Sequence, residues 1–197
     1  MKSSNTAQIL TLQAMSRRLF LPLSLAFFLL TSCEDQITQN FYKGELLTNG
    51  TFENISGTSP SDWTLQANQL GNVNNSIISS TGSSGRGLRF THAEGTGCWE
   101  MWIEQNLDLS ELVADQLYEL TFDYQVSFGG ARVSATMNGD ISSGGSHPLN
   151  SGSGWQSGSI QFRTPKTLSN NSRFMLHFCI QGMNSWSIDQ LSLKFKE

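Results

Sequence analysis

Alternation with a period of two constrains this chain more than any other feature. In "LYELTFDYQVSF", residues 117–128, Tyr118, Leu120, Phe122, Tyr124, Val126 and Phe128 share one parity. Glu119, Thr121, Asp123, Gln125 and Ser127 share the other. Side chains on a strand point alternately to its two faces, so such a run makes a strand with one buried face. Shorter runs of the same kind occur at "GLRFTH", "WEMWIEQNL", "ARVSATM", "SGSIQFRT", "RFMLHFCIQ" and "WSIDQLSLKF". Only "LSELVAD", 109–115, suggests a helical turn, with Ser110 as its N-cap. The glycine- and serine-rich stretch 138–158 reads as a long, mobile loop. Many short strands separated by turn residues predict an all-β fold, a sandwich or a barrel.

The amino-terminal part is of another kind. Residues 15–33 read "MSRRLFLPLSLAFFLLTSC", with a positive pair, Arg17 and Arg18, ahead of an apolar run from Leu19 to Leu30. That is the layout of a secretory signal, too short and wrongly flanked for a stable membrane span. Its end, Leu30-Thr31-Ser32-Cys33, resembles a bacterial lipobox, which implies cleavage before Cys33 and a lipid on its thiol. The alternative is an ordinary signal with a chance cysteine. Met15 would give a signal of ordinary length by itself. Residues 1–33 are therefore expected to be the signal, 34–44 ("EDQITQNFYKG") a polar tether, and 45–197 one folded domain.

From Cys33 onward nine basic residues stand against sixteen acidic ones, a net charge of −7. No basic cluster remains, which argues against a nucleic-acid partner and against attachment to headgroups by charge. A lipid on Cys33 would anchor the protein instead, at the cell envelope and in the outer membrane. Cys98 and Cys179 are then left as an even pair in an oxidising compartment. Both lie in strand-like runs, so they are expected to pair across neighbouring strands, the alternative being two thiols buried apart.

Catalytic patterns are weak. His92, His147 and His177 have no metal-ligand spacing, and no serine stands in a nucleophile-elbow pattern. A glycosidase needs two carboxylates about 5–9.5 Å apart. Glu100 and Glu104 on one strand would be about 13 Å apart at about 3.3 Å per residue. The chain is read as a non-enzyme; the trailing alternative, a glycan-active enzyme, would need a close carboxylate pair across strands that involves Glu100 or Asp123.

Binding has more support. Within "CWEMWIEQNLDL" the odd positions Met101, Ile103 and Leu107 make a core face, which leaves Trp102, Glu104 and Asn106 on the other. A tryptophan among carboxylate and amide groups on an outer sheet face can stack on the C–H face of a sugar while its neighbours bond hydroxyls. In "RFMLHFCIQG", Phe174, Leu176, Phe178 and Ile180 take the core face, and Met175, His177, Cys179 and Gln181 take the other. Gln125 does the same on its strand. The expected site is Trp102 as stacking platform, with Glu104, Gln125, His177 and Gln181 bonding hydroxyls, provided the three strands are neighbours.

Taken in order, "ELLTNGTFE", "WTLQ", "CWEMWIEQNLDL", "LYELTFDY", "FMLHFCIQG" and "WSIDQLSL" resemble a carbohydrate-binding module of the family 4 and 9 group, across residues 45–193. The opening N-G-x-F-E and following Trp are matched by Asn49, Gly50, Phe52, Glu53 and Trp63, and the W-x-x-x-x-x-Q strand by Trp99 and Gln105. The ending I-D-x-x-S-L is matched by Ile188 to Leu193. The resemblance implies a jelly-roll β-sandwich of galactose-binding-like topology and non-catalytic binding of a β-linked polysaccharide or oligosaccharide on the concave face of one sheet. It also implies a structural calcium held by backbone oxygens with Asp189 and Glu53, and glycan-degrading enzymes as neighbours. Trp99 and Gln105 fall on the core parity and would join the site only if a bulge reversed their strand. Trp102 and Gln125 depart from the family pattern, as does the cysteine pair. A different reading of the same architecture is a protein-interaction module of an envelope complex, which would need an exposed apolar patch.

Overall fold

The computed structural model describes residues 44–57, 59–67, 73–74, 82–92, 98–127, 130–170, 172–179 and 184–197. The expected signal, Cys33 and the tether as far as residue 43 lie outside the described residues, as does Gln181. All the described residues belong to one unit, Phe41–Glu197.

Among them the structure is all strand and turn. The strands are β1 (Ile55–Ser56), β2 (Ser59–Pro60), β3 (Thr64–Ala67), β4 (Val73–Asn74), β5 (Leu88–His92) and β6 (Cys98–Asn106). They continue with β7 (Leu117–Val126), β8 (Ala131–Met137), β9 (Asp140–Leu149), β10 (Gln156–Arg163), β11 (Arg173–Cys179) and β12 (Asn184–Phe195). Two five-stranded antiparallel sheets form, in the orders β10-β7-β12-β5-β4 and β3-β6-β11-β8-β9, beside a small β1–β2 hairpin. For brevity they are called the β7 sheet and the β6 sheet.

The period-two residues fill the space between the sheets. Tyr118, Leu120, Phe122, Tyr124 and Val126 are buried from the β7 sheet, and Met101, Ile103, Phe174, Leu176 and Phe178 from the β6 sheet. Trp186 joins the layers: its ring stacks on Phe90 at 4.1 Å and meets Phe178 at 3.9 Å. Apolar burial of this kind contributes about 25 cal/mol per Å² and dominates the stability.

Two departures from regular alternation shape the molecule. In β12 the core positions are Trp186 and Ile188, then Leu191 and Leu193. The phase changes because the register runs Asp189↔Asp123 and then Ser192↔Thr121, which leaves one extra residue on β12. Gln190, at φ 53°, lies in this bulge. In β6 the register passes from Met101↔Phe178 to Cys98↔Cys179, an insertion of two residues. Two extra residues preserve the phase, so the bulge does not reverse the strand. Gln105 accordingly stays inside, where it bonds the Thr48 N–H and donates to the carbonyls of Thr48 and Asp62. The side chain of Trp99 is outside the described residues.

Two local expectations are corrected. Stretch 138–158 is not a long loop: Asn138 and Gly139, at φ 54° and 77°, turn the chain, and β9 pairs back on β8. Positive φ at both residues is the type I′ hairpin turn that favours Asn-Gly. No helical turn is capped by Ser110 either. Asp108 accepts both the N–H and the hydroxyl of Ser110, which makes a side-chain-closed turn and lowers the Asp108 pKa. The chain then runs on to β7, and the Tyr118 hydroxyl accepts the Val113 N–H.

Candidate functional site

The outer face of the β6 sheet carries mostly polar rows set by register, of which Ser134, Thr136, Met175 and His177 are buried. One row runs Gln66, Trp102, His177, Ser134 and Ser146 across all five strands. The next runs Thr64, Glu104, Met175 and Thr136, and a third pairs Asn106 with Arg173. Even positions of β6 and odd positions of β11 share this face because the two strands are in register, so side chains from two separate stretches meet.

Trp102 is half-buried, and its indole N–H donates to Glu104 Oε2 at 2.9 Å. Glu104 is held in turn by Arg173, whose Nη1 lies 3.1 Å and 3.3 Å from its two oxygens. The tryptophan thus has a fixed orientation, and the carboxylate that fixes it is clamped by a cation. The His177 ring lies 5.9 Å from that of Trp102, tilted by 35°, and its Nε2 is 3.2 Å from Thr136 Oγ1. His177 is only 8% exposed, so in this conformation it backs the platform rather than facing solvent. Burial lowers its pKa below the ordinary 6.5, and the Glu104 carboxylate works in the opposite direction.

Beyond Glu104 the face opens into a cleft of about 680 Å³ lined by Asn106, Leu107, Asn138, Ser169, Asn170, Ser172 and Arg173. These were not among the expected site residues. Parity alone puts Arg173 on the His177 face, whereas the turn and loop residues Asn138 and Asn170 carry no periodic signal.

Gln125 is not part of this site. β7 belongs to the other sheet, so Gln125 stands on the opposite outer face, in a cleft of about 320 Å³ with Arg89, Ser127, Ser185 and Ser187. Parity shows which side of a strand is polar but not which sheet the strand joins, and the expected three-strand groove contains only two of the three strands. Asp123 lies on the β7 sheet as well, bonded by the hydroxyls of Ser83 and Ser157.

Cys179 is disulfide-bonded, and its register partner on β6 is Cys98. Glu53 is exposed and accepts the Arg86 N–H at 2.6 Å. Asp189 is fully buried; its Oδ2 accepts the Ser84 N–H and the Ser83 hydroxyl, and its Oδ1 the Gln190 N–H. The loop 82–86 therefore touches both carboxylates. Among the described residues no cluster of three or more acidic, histidine or cysteine side chains is placed to hold a metal.

No protein-family model matches the chain, and no curated protein matches it. Solved structures do. A family 4 carbohydrate-binding module is similar with a TM-score of 0.53 at 18% identity, over 76% of this chain and 99% of the module. A family 61 module in complex with β-1,4-galactotriose gives 0.52 at 12% identity, over 77% and 99%. The family 11 module of a cellulosomal cellulase from Clostridium thermocellum gives 0.52 at 17%, over 78% and 95%. The fold is the β-sandwich jelly roll of carbohydrate-binding modules.

Proposed function

We propose that this chain binds a β-linked glycan without cleaving it, on the outer face of the β6 sheet, with Trp102 as the stacking platform. The observation that carries this reading is the Trp102–Glu104–Arg173 chain of contacts. It presents an oriented indole among polar groups on a sheet face, in a fold shared with sugar-binding modules. Glu104, Gln66 and Arg173 are the groups beside the ring that would bond hydroxyls. Affinity electrophoresis against soluble neutral and acidic polysaccharides, among them β-glucans, xylan, mannan, galactan and a uronate polymer, tests it. Retardation by one polymer class is expected, and Trp102→Ala should weaken it by about 1–3 kcal/mol with little change in thermal unfolding. A folded protein that no polymer retards would sink the reading.

A calcium ion belongs to the same proposal. The residues fit a hard cation: Asp189 is a buried carboxylate whose hydrogen bonds all come from neutral donors, and Glu53 reaches the same loop. Calcium takes six to eight oxygens, so backbone carbonyls would supply the remainder. When bound, the ion would neutralise Asp189 and tie the loop to β12. Calcium should raise the melting temperature, a chelator should reverse the gain, and Asp189→Asn should abolish it.

The anchor completes the picture. A lipid on Cys33 would hold the domain at the bacterial envelope, in the outer membrane, beside enzymes that cut the bound glycan. Replacing Cys33 by alanine should move the protein from the membrane fraction to the soluble one. An unchanged distribution would remove lipidation from the account.

A further inference from the structure

The cleft at the Asn106–Arg173 end of the face differs in chemistry from the platform. Among the described residues that line it there is no carboxylate, and their polar groups are the amides of Asn106, Asn138 and Asn170, the Ser169 hydroxyl, the Arg173 guanidinium and the Ser172 hydroxyl, which is spent on the Ser169 carbonyl. Donors prevail among them. Asn138 Oδ1 is taken by the Arg173 N–H, which leaves that amide presenting its NH2. Arg173 uses Nη1 on Glu104, and its side chain is 45% exposed. Its Nε–H and Nη2 have no partner among the described residues, and they form the planar fork that matches a carboxylate. The Glu104 carboxylate cannot fill that fork, because its side chain is only 12% exposed and lies on the Nη1 side, tied to Trp102.

The cleft lies on the same face of β6 as the platform, at the far end of the strand. Trp102, Glu104 and Asn106 share one face of β6, and the four-residue step from Trp102 to Asn106 spans about 13 Å. A ligand that touches both ends is an oligosaccharide rather than a single sugar. We propose that this cleft is a subsite for a carboxylate-bearing sugar, so that the glycan bound across the face contains uronic acid. Arg173 receives the carboxylate through Nε and Nη2, the asparagines bond the adjacent hydroxyls, and a neighbouring unit stacks on Trp102. This deepens the glycan-binding reading and rests on it. The chain's negative net charge from Cys33 onward, −7, opposes non-specific adsorption of polyanions, so retention by a polyuronate reports a site.

The test is affinity electrophoresis of the purified protein in mannuronate-rich alginate, a glucuronoxylan, a neutral galactan, a neutral β-glucan and a sulfated dextran. Retardation is expected to be strongest in a uronate polymer. Arg173→Gln should weaken it by about tenfold, with Arg173→Lys in between. Removing Arg173 also unpairs Glu104, so a second variant is needed that leaves that pair intact. Asn170→Asp places a carboxylate in the cleft with the Arg173–Glu104 pair intact, and it should weaken retention by uronate polymers far more than retention by neutral ones, so that the preference is lost. Neutral polymers that bind as well as uronates, with Asn170→Asp silent, would overturn the subsite and leave the glycan-binding reading standing. Equal retention by sulfated dextran would also overturn it, as general anion attraction. No retardation by any polymer would overturn both readings.

Discussion

His177 shows how one residue's surroundings set a measurable behaviour. Its ring is buried against Trp102 and Thr136, which favours the neutral form and lowers its pKa below 6.5. A lowered pKa in the folded state means that the unfolded chain binds the proton more readily. The contribution of His177 is therefore fully present above pH 6.5 and is lost as the pH falls through the folded pKa. Melting temperature followed from pH 7.5 to pH 5 should decline, and His177→Gln should decline less steeply over the same interval. Equal slopes would show that the ring is not the titrating group. Other polar residues have structural roles: the buried Gln105 ties Thr48 to Asp62, and the half-buried Asn49 amide bonds the carbonyls of Asn54 and Ser61. Trp63, which follows the opening motif, donates its indole N–H to the Asn49 carbonyl and packs on Phe52 at 5.7 Å. The stretch that carries the family resemblance most visibly thus builds the fold, while Trp102, the platform of the candidate site, departs from the family pattern.

At the scale of elements, β9 and β10 close one edge of the sandwich, and Gly145 makes the closure possible. A side chain there would collide with the Gln161 carbonyl and with Ile160. Gly145→Ala should cost about 1–3 kcal/mol, seen as a lower denaturation midpoint with an unchanged slope. A neutral result would show that the two edge strands can separate without penalty. Strands were readable wherever alternation ran unbroken, as in β7, because burial on one side imposes a period of two. The hairpin into β9 was also written in the sequence, in Asn138-Gly139, but the glycines and serines after it lack the apolar alternation that marks a strand. The bulge at Gln190 is visible as the change of parity between Ile188 and Leu191, once the strand is known to be continuous. Assignment of strands to sheets is a different matter. Gln125 and His177 have equally polar surroundings along their own strands, and only long-range pairing separates them onto opposite faces of the molecule.

Over the whole molecule, one cross-link bears on both stability and site. Cys179 is disulfide-bonded, and we take Cys98, its register partner across β6 and β11, as the other half. The closed loop spans residues 98–179 and takes in β6 to β11, so the bond would restrict the unfolded chain across most of the sandwich. By the chain-entropy account a loop of this length is worth about 4.5 kcal/mol, and reduction should lower the unfolding free energy by about 2–4.5 kcal/mol. With Cys98 as partner the bond would also sit beside the two-residue bulge of β6, at the end of the strand that carries Trp102. Reduction should then loosen the bulge before the sheet, and glycan affinity should fall at temperatures where the circular-dichroism spectrum is still that of the folded protein. Alkylation without reductant checks the premise: Cys98 and Cys179 should both be protected, and a non-reduced digest should join their two peptides. A modified Cys98 would leave Cys179 with another partner and remove the link between the disulfide and the binding face. A protected pair with unaltered affinity after reduction would confine the bond to stability, because β6 would then be held in place by its pairing with β3 and β11 alone.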